Sequence, residues 1–270
     1  MATILKTAII KFVQFLTRLK SDYIFIVISR FISFVYRSND YLTKKNGKWY
    51  IGQRRYMISH RNRFFFYKKG LKRRKKMILD EYLIGQLLFP ENAVVVDCGA
   101  NVGDFSSAVY DIEASVNLIA IEPGPTEFLC AEHNIGAFAK LENVALGEHE
   151  TVANFYLSSE HADNSLIQIN NFDRIINVPV KRLDNFEELI RVDQIFLLKI
   201  EAEGFEPEIL YGSHDLLTKV VYISVDVGFE RGTSHESTLP QVVNFLLNNG
   251  FQVVEVGRKR LVVLFKNENY

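Results

Sequence analysis

The 270-residue sequence is poor in cysteine. It has two, Cys98 and Cys130. That is too few for a disulfide framework, and a reducing, cytoplasmic setting is the default expectation. It lacks any run of about 18–20 uncharged apolar residues, the length a spanning helix needs. ILKTAIIKFVQFLTRLK (residues 4–20) is broken by lysines and an arginine, and YIFIVISRFISFVY (residues 23–36) by Arg30. No A-x-A-like cleavage site follows, so a removed signal peptide is not expected. The six histidines show no H-x-x-x-H or H-E-x-x-H spacing, which argues against zinc. Internal repeats and low-complexity tracts are absent.

Acidic residues are almost missing from the start of the chain. The net charge is zero, yet residues 1–76 hold 20 of the 32 Lys+Arg and only Asp22 and Asp40 as acids, a balance of +18. The remainder carries 12 basic and 30 acidic residues, a balance of −18. Such asymmetry points to an anionic partner for the basic part. Leu5, Ile9, Phe12, Leu16 and Leu19 lie along one helical stripe, with Lys6, Lys11 and Arg18 elsewhere around it. Two readings stay open for this amphipathic helix pair. It lies in the interface of an anionic membrane, peripheral on its inner face, or it packs on its own domain or a second subunit. The basic run KKGLKRRKK (residues 68–76) has no nucleic-acid module around it, so no nucleic-acid partner is expected.

Three segments follow from this patterning: an amphipathic basic helical appendage over residues 1–46, a strand and helix entry segment over 47–80, and a main domain over 81–270. A helix is expected over about 77–88, ending at Pro90. Strand and helix signals then alternate, with polar alternation in TVANFYLS (residues 151–158) marking an antiparallel insertion. FQVVEV and RLVVLF around GRKR form a terminal hairpin. The fold class is α/β, a doubly wound, mostly parallel sheet with the hairpin adding an antiparallel edge.

VVVDCGANVGDFS (residues 94–106) leads from a buried strand through a glycine turn into a helix start. In a doubly wound sheet, ligands bind at the carboxyl ends of the strands. Here lie Asp97, Gly99, Ala100, Asn101 and Gly103. A dinucleotide site would show G-x-G-x-x-G, whereas the spacing is Gly99-x-x-x-Gly103. A fixed carboxylate at Asp97 is electrostatically poor beside a pyrophosphate and favourable beside a cation. S-adenosylmethionine, with an amino group, a sulfonium and a carboxylate, fits better than a nicotinamide dinucleotide. The next strand ends in Glu122-Pro123, and a carboxylate there can accept hydrogen bonds from both hydroxyls of a ribose.

With IAIEPGPTEF, ENVALGE, VKRLDNF and LLKIEAEGFEPEILYG, these motifs resemble those of the FkbM-type methyltransferases over about residues 81–265. The resemblance implies a Rossmann-like seven-stranded methyltransferase sheet and S-adenosylmethionine as methyl donor. It implies O-methylation of a sugar hydroxyl in a glycan, glycolipid or natural-product precursor, hence polysaccharide biosynthesis. It also implies that Asn143 and Ala145 face the adenine, and that the loop of residues 158–168 lies over the acceptor; Asn164 and Ser165 there are candidates to hydrogen-bond a sugar, the alternative being a plain hairpin tip. The family usually has Lys-Ile-Asp-x-Glu-Gly after the fourth strand. Here Lys199-Ile200-Glu201-Ala202-Glu203-Gly204 carries an acid longer by one methylene.

On an extended strand Lys199, Glu201 and Glu203 share a face. Methyl transfer to a hydroxyl needs an aligned oxygen, removal of its proton and exclusion of water. Glu201 is the first candidate for general base, Lys199 for orienting the acceptor or lowering its pKa, and Glu203 completes the catalytic set. The alternative is an ion network that only fixes the following loop. Glu201 and Asp226 could hold a hard cation through oxygen, but two acids do not make a metal site, and none is expected. His161 and His235 fall in loops near the mouth of the sheet. A rival reading is a non-catalytic nucleoside-binding scaffold in a membrane-associated glycan-assembly complex.

Overall fold

The computed structural model describes residues 21–53, 55–158 and 164–270. The apolar stripe Leu5, Ile9, Phe12, Leu16 and Leu19, together with His161, lies outside the described residues. The chain divides into two compact units, Met1–Arg74 and Lys75–Tyr270.

In the first unit, helix α1 (Asp22–Val35) is the second of the expected pair. Ser21 caps it, its hydroxyl accepting from the Ile24 amide at 3.4 Å. Strands β1 (Leu42–Lys45), β2 (Lys48–Ile51) and β3 (Tyr56–Ile58) form an antiparallel sheet in that order. Asn46 and Gly47 join β1 to β2 and both have positive φ, 49° and 77°, as a two-residue hairpin turn requires. This hairpin straddles the segment boundary expected at residue 46. Short helix α2 (Phe64–Tyr67) closes the unit's core, which contains Leu42, Ile51, Tyr56, Phe64 and Tyr67.

Helix α3 covers Leu71–Glu81 rather than 77–88. The run of lysines and arginines is a good helix former and supplies the first turns. The apolar stretch does not continue the helix, because Leu83 turns to φ 60° and brings the Ile84 amide back to the Leu79 carbonyl at 3.0 Å. Ile84 is thereby buried.

The second unit is built on seven strands: β4 (Val94–Cys98), β5 (Asn117–Ile121), β6 (Ala139–Glu142), β10 (Ile195–Ile200), β11 (Val220–Asp226), β12 (Phe251–Val256) and β13 (Val262–Asn267). Their order is β12-β13-β11-β10-β4-β5-β6. The pairs from β6 to β11 are parallel and both pairs of β13 are antiparallel. This is the expected doubly wound methyltransferase sheet with its C-terminal hairpin. The hairpin differs in one respect: β13 lies inside the sheet, between β11 and β12, and the edge is β12. The apolar run Val262–Phe265 of β13 needs cover on both sides and is buried, whereas β12 beyond Phe251 is exposed.

Helices α4 (Asp104–Ile112), α5 (Pro125–Ile135), α7 (Glu206–Tyr211) and α8 (Leu239–Asn248) connect the strands, with short α6 (Glu187–Arg191) before β10. The insertion expected from TVANFYLS is a second sheet of β7 (Ala145–Leu146), β9 (Arg174–Lys181) and β8 (Thr151–Leu157), in that order. Alternate residues of the central strands feed two cores. Val96, Cys98, Leu198 and Ile200 enter one, and Val95 and Leu197 the other, with Tyr82 and Phe105. Asp97 and Lys199 fall in step with this second set.

Candidate active site

The turn after β4 is held by its own backbone. The Gly99 and Ala100 amides both donate to the Ile121 carbonyl, at 2.9 and 3.0 Å. Gly99 has φ 79°, and a Cβ there would lie 1.9 Å from the Glu201 carbonyl oxygen. No other residue fits, because the ends of β4 and β10 meet at this point. Asn101 and Gly103 also adopt positive φ, 52° and 88°, before α4 begins at Asp104.

This geometry aims the Asn101 amide at Glu122, whose Oε2 accepts at 2.7 Å. The other oxygen accepts the Gly124 amide at 2.7 Å. Burial, and then the neighbouring Glu127 carboxylate, push the Glu122 carboxyl up to about 8. A pocket opens beside it. Of the expected cofactor residues, Gly99, Asn101, Glu122, Pro123 and Ala145 line it, with apolar walls from Val144, Leu146 and Phe155. Ala100 and Gly103 shape the turn and are not among the lining residues. Asn143 braces the strand end instead of lining the pocket: its amide donates to the Glu122 and Pro123 carbonyls at 2.7 and 3.3 Å.

Asp97 was expected beside a cationic ligand, but it is fully buried and its cation is internal. Parallel pairing sets Asp97 opposite Lys199, and their charged groups lie 3.0 Å apart. The Ser106 hydroxyl donates to the other Asp97 oxygen at 2.7 Å. Lys199 is 1% exposed. It donates to the Gly99 carbonyl at 2.7 Å and the Cys98 carbonyl at 3.3 Å, and pairs with Glu201 at 3.3 Å. Burial opposes its charge, but Asp97 and Glu201 outweigh this and raise its pKa. Lys199 is therefore a strut beneath the glycine turn, the ion-network alternative, with no donor left for an acceptor.

Glu201 follows the end of β10. Burial alone would raise its carboxyl, but Arg260, then Lys199 and the Tyr82 hydroxyl bond, hold it well below the usual carboxylate range. Tyr82 donates to one oxygen and Arg260 to the other. A carboxylate so held is a fixed anion and a poor proton acceptor. Arg260 also donates to Asp226. The guanidinium thus stands where a hard cation would bridge Glu201 and Asp226, so the geometry does not favour the metal reading. Among the described residues, no cluster of three or more His, Cys, Asp or Glu could hold a metal ion.

Beyond Glu201 the strand alternation ends, and Glu203 takes φ 50°. Glu206 ties this turn, accepting from the Ala202 and Gly204 amides at 2.9 and 3.0 Å. Glu203 lines the first pocket and also a second cavity, with Ser158, Asn170, Glu230 and His235. Burial, then Asp226 and Glu201, push the Glu230 carboxyl up to about 8. Asn164 lines the first pocket and bridges Glu127, at 3.2 Å, to the Ser158 amide, at 2.8 Å. Ser165 is buried and its hydroxyl donates to the Glu203 carbonyl at 3.1 Å. Tyr82, Arg260, Glu206 and Glu230 were missed in the sequence. Tyr82 follows a helix and Arg260 sits in a turn, and neither position belongs to a motif.

With this geometry established, the model of the FkbM methyltransferase domain matches residues 97–253. The chain belongs to the FkbM methyltransferase family. It is 23% identical over 185 residues to 2-O-methyltransferase NoeI of Sinorhizobium fredii, covering 62% of this chain and 76% of that protein. It is 26% identical over 155 residues to Methyltransferase 1 of Beauveria bassiana, covering 47% of this chain and 61% of that protein, less than two thirds of its length. Among solved structures, the precorrin-6y C5,15-methyltransferase of Geobacter metallireducens aligns with a TM-score of 0.43 at 14% identity, over 72% of this chain and 87% of that one.

Proposed function

We propose that this FkbM-family protein transfers a methyl group from S-adenosylmethionine to a hydroxyl oxygen of a sugar in a glycan, glycolipid or natural-product precursor. The observation that carries the reading is Glu122, an acid fixed by the Asn101 and Gly124 amides at the rim of the first pocket. Its remaining lone pairs suit the two hydroxyls of a ribose. The Asn101 side-chain oxygen, buried at this pocket without a hydrogen-bond partner, suits a donor such as an amino group. The name of NoeI, a 2-O-methyltransferase, supports oxygen as the accepting atom.

In the reaction the acceptor oxygen forms a bond to the methyl carbon, the carbon–sulfur bond breaks, and its electron pair stays on sulfur. The hydroxyl proton must leave. Glu201, held ionised by Arg260 and Lys199, is a poor acceptor for it, while Glu230 lines the second cavity beside Glu203. Glu203, at the wall common to both cavities, is the residue of the expected catalytic set best placed to touch the acceptor. Cys98 and Cys130 are both buried, and so few cysteines suit a reducing, cytoplasmic setting.

Calorimetry with S-adenosylhomocysteine and NAD in parallel tests the reading. Micromolar binding of the first, about −8 kcal/mol, is expected, with weakening in Glu122→Ala and silence with NAD. Binding of NAD, or of neither ligand, would overturn it, and the latter result would favour a scaffold.

A further inference from the structure

Helix α1 in the first unit is turned inside out. Its inward face buries Phe25 together with two serines, Ser29 and Ser33. The serines are there to bond backbone: the Ser29 hydroxyl accepts from the Leu42 amide at 3.2 Å, and the Ser33 hydroxyl donates to the Asp40 carbonyl at 3.4 Å. The outward face is the apolar one. Tyr23, Ile24, Val27, Phe31, Phe34 and Val35 share an arc of about 120° at 3.6 residues per turn. Tyr23 is 76% exposed, Phe31 67% and Phe34 78%. Single exposed apolar residues are ordinary, but a contiguous stripe of aromatic and aliphatic side chains is an interaction surface.

Cations stand beside exposed aromatic rings in the same unit. Arg30 is exposed at one edge of the arc. The Lys68 and Lys69 ammonium groups each lie 5.9 Å from the ring of Tyr36, just past the helix end. A further exposed ring, Phe66, has Arg63 at 5.5 Å and Arg74 at 5.1 Å. Residues 1–74 carry 18 Lys+Arg against 2 acids, a balance of +16. Both acids are already paired, Asp22 with Lys44 and Arg61 and Asp40 with Arg55.

Charge decides what covers the stripe. A second copy would bring another +16 against the first, and like charges repel. A nucleic acid would satisfy the cations and leave Val27, Phe31 and Phe34 in water. A lipid interface takes both, apolar side chains at the acyl boundary and cations among the phosphates. Among the described residues no helix is long and apolar enough to cross a membrane, so contact would be along the surface. We propose that the outward face of α1, with the flanking cations at Tyr36 and Phe66, docks on a bilayer rich in anionic headgroups.

Sedimentation of the full-length protein with vesicles tests this, and does not depend on methyl transfer. One vesicle contains phosphatidylcholine and phosphatidylglycerol, the other phosphatidylcholine alone. The wild type should bind the anionic vesicles and be released as salt is raised. Phe31→Asp with Phe34→Asp should lower the partition coefficient about tenfold or more. Phe31→Ser with Phe34→Ser, which keeps the net charge, should lower it by a similar factor, and Lys68→Glu with Lys69→Glu should weaken binding to the anionic vesicles. The phenylalanines face solvent, and circular dichroism checks that α1 persists. Indifference of the wild type to phosphatidylglycerol overturns the proposal. So does wild-type binding by both Phe31/Phe34 double variants, whether a deletion of residues 1–20 then removes binding or not. A dimer that both variants dissociate would assign the face to a second copy instead.

Discussion

Burial in the fold favours the neutral form of the Glu122 carboxyl. Its pKa rises from 4.5 to about 8 on folding, so the folded state binds the extra proton between these values. The stability this contributes is complete below the lower value and is lost as pH rises through the upper one. Glu122→Gln removes the titration. Urea denaturation across that window should show the wild type losing stability relative to the variant by about 1.4 kcal/mol per pH unit at most; parallel curves would mean that Glu122 is not raised. Lys199 and Asp97 give a second residue-scale outcome. Lys199→Met leaves Asp97 buried without its cation and should cost about 3–5 kcal/mol, with much of it recovered in the double variant with Asp97→Asn. An unchanged denaturation midpoint in the single variant would show that the pair carries little.

At the scale of elements, the hairpin of β12 and β13 governs the acids of the parallel strands. Its turn delivers Arg260 to Glu201 and Asp226. In Arg260→Met these carboxylates, with Glu230, lose their shared cation. Burial is then opposed only by Lys199 and the Tyr82 hydroxyl, and the Glu201 carboxyl rises relative to the wild type. A raised carboxyl supplies stability at low pH and loses it as pH rises. Thermal unfolding of Arg260→Met should therefore show a deficit at neutral pH that shrinks on acidification. A deficit independent of pH would limit Arg260 to packing. The glycine turn is the other decisive element. Gly99→Ala meets both the left-handed φ and the Glu201 carbonyl, and should abolish S-adenosylhomocysteine binding in the same calorimetry while the far-UV spectrum stays native. Wild-type affinity would show that the turn can shift without harm.

For the whole molecule, every residue lining the two cavities belongs to the second unit. A chain of residues 75–270 should therefore bind S-adenosylhomocysteine as the full chain does, and markedly weaker binding would give the first unit a part in the site. The charge division follows the same line, since the strongly basic first unit precedes a strongly acidic remainder.

What the sequence by itself determined is local. The strand and helix alternation, the two left-handed glycines after β4, the acid at the end of β5 and the apolar, basic character of α1 all arise from neighbouring residues, and their periodicity and turn chemistry are readable without coordinates. What only the tertiary structure decided depends on pairing between distant strands. Asp97 reads as a ligand acid until the register of β4 and β10 sets Lys199 against it. Glu201 reads as a base until Arg260 arrives from 59 residues away. Even Lys199, legible as a charge at the end of a buried strand, becomes a strut only because two backbone carbonyls close over it. Buried charges take their chemistry from whichever opposite charge the fold brings within reach, and that partner is set by topology rather than by local sequence.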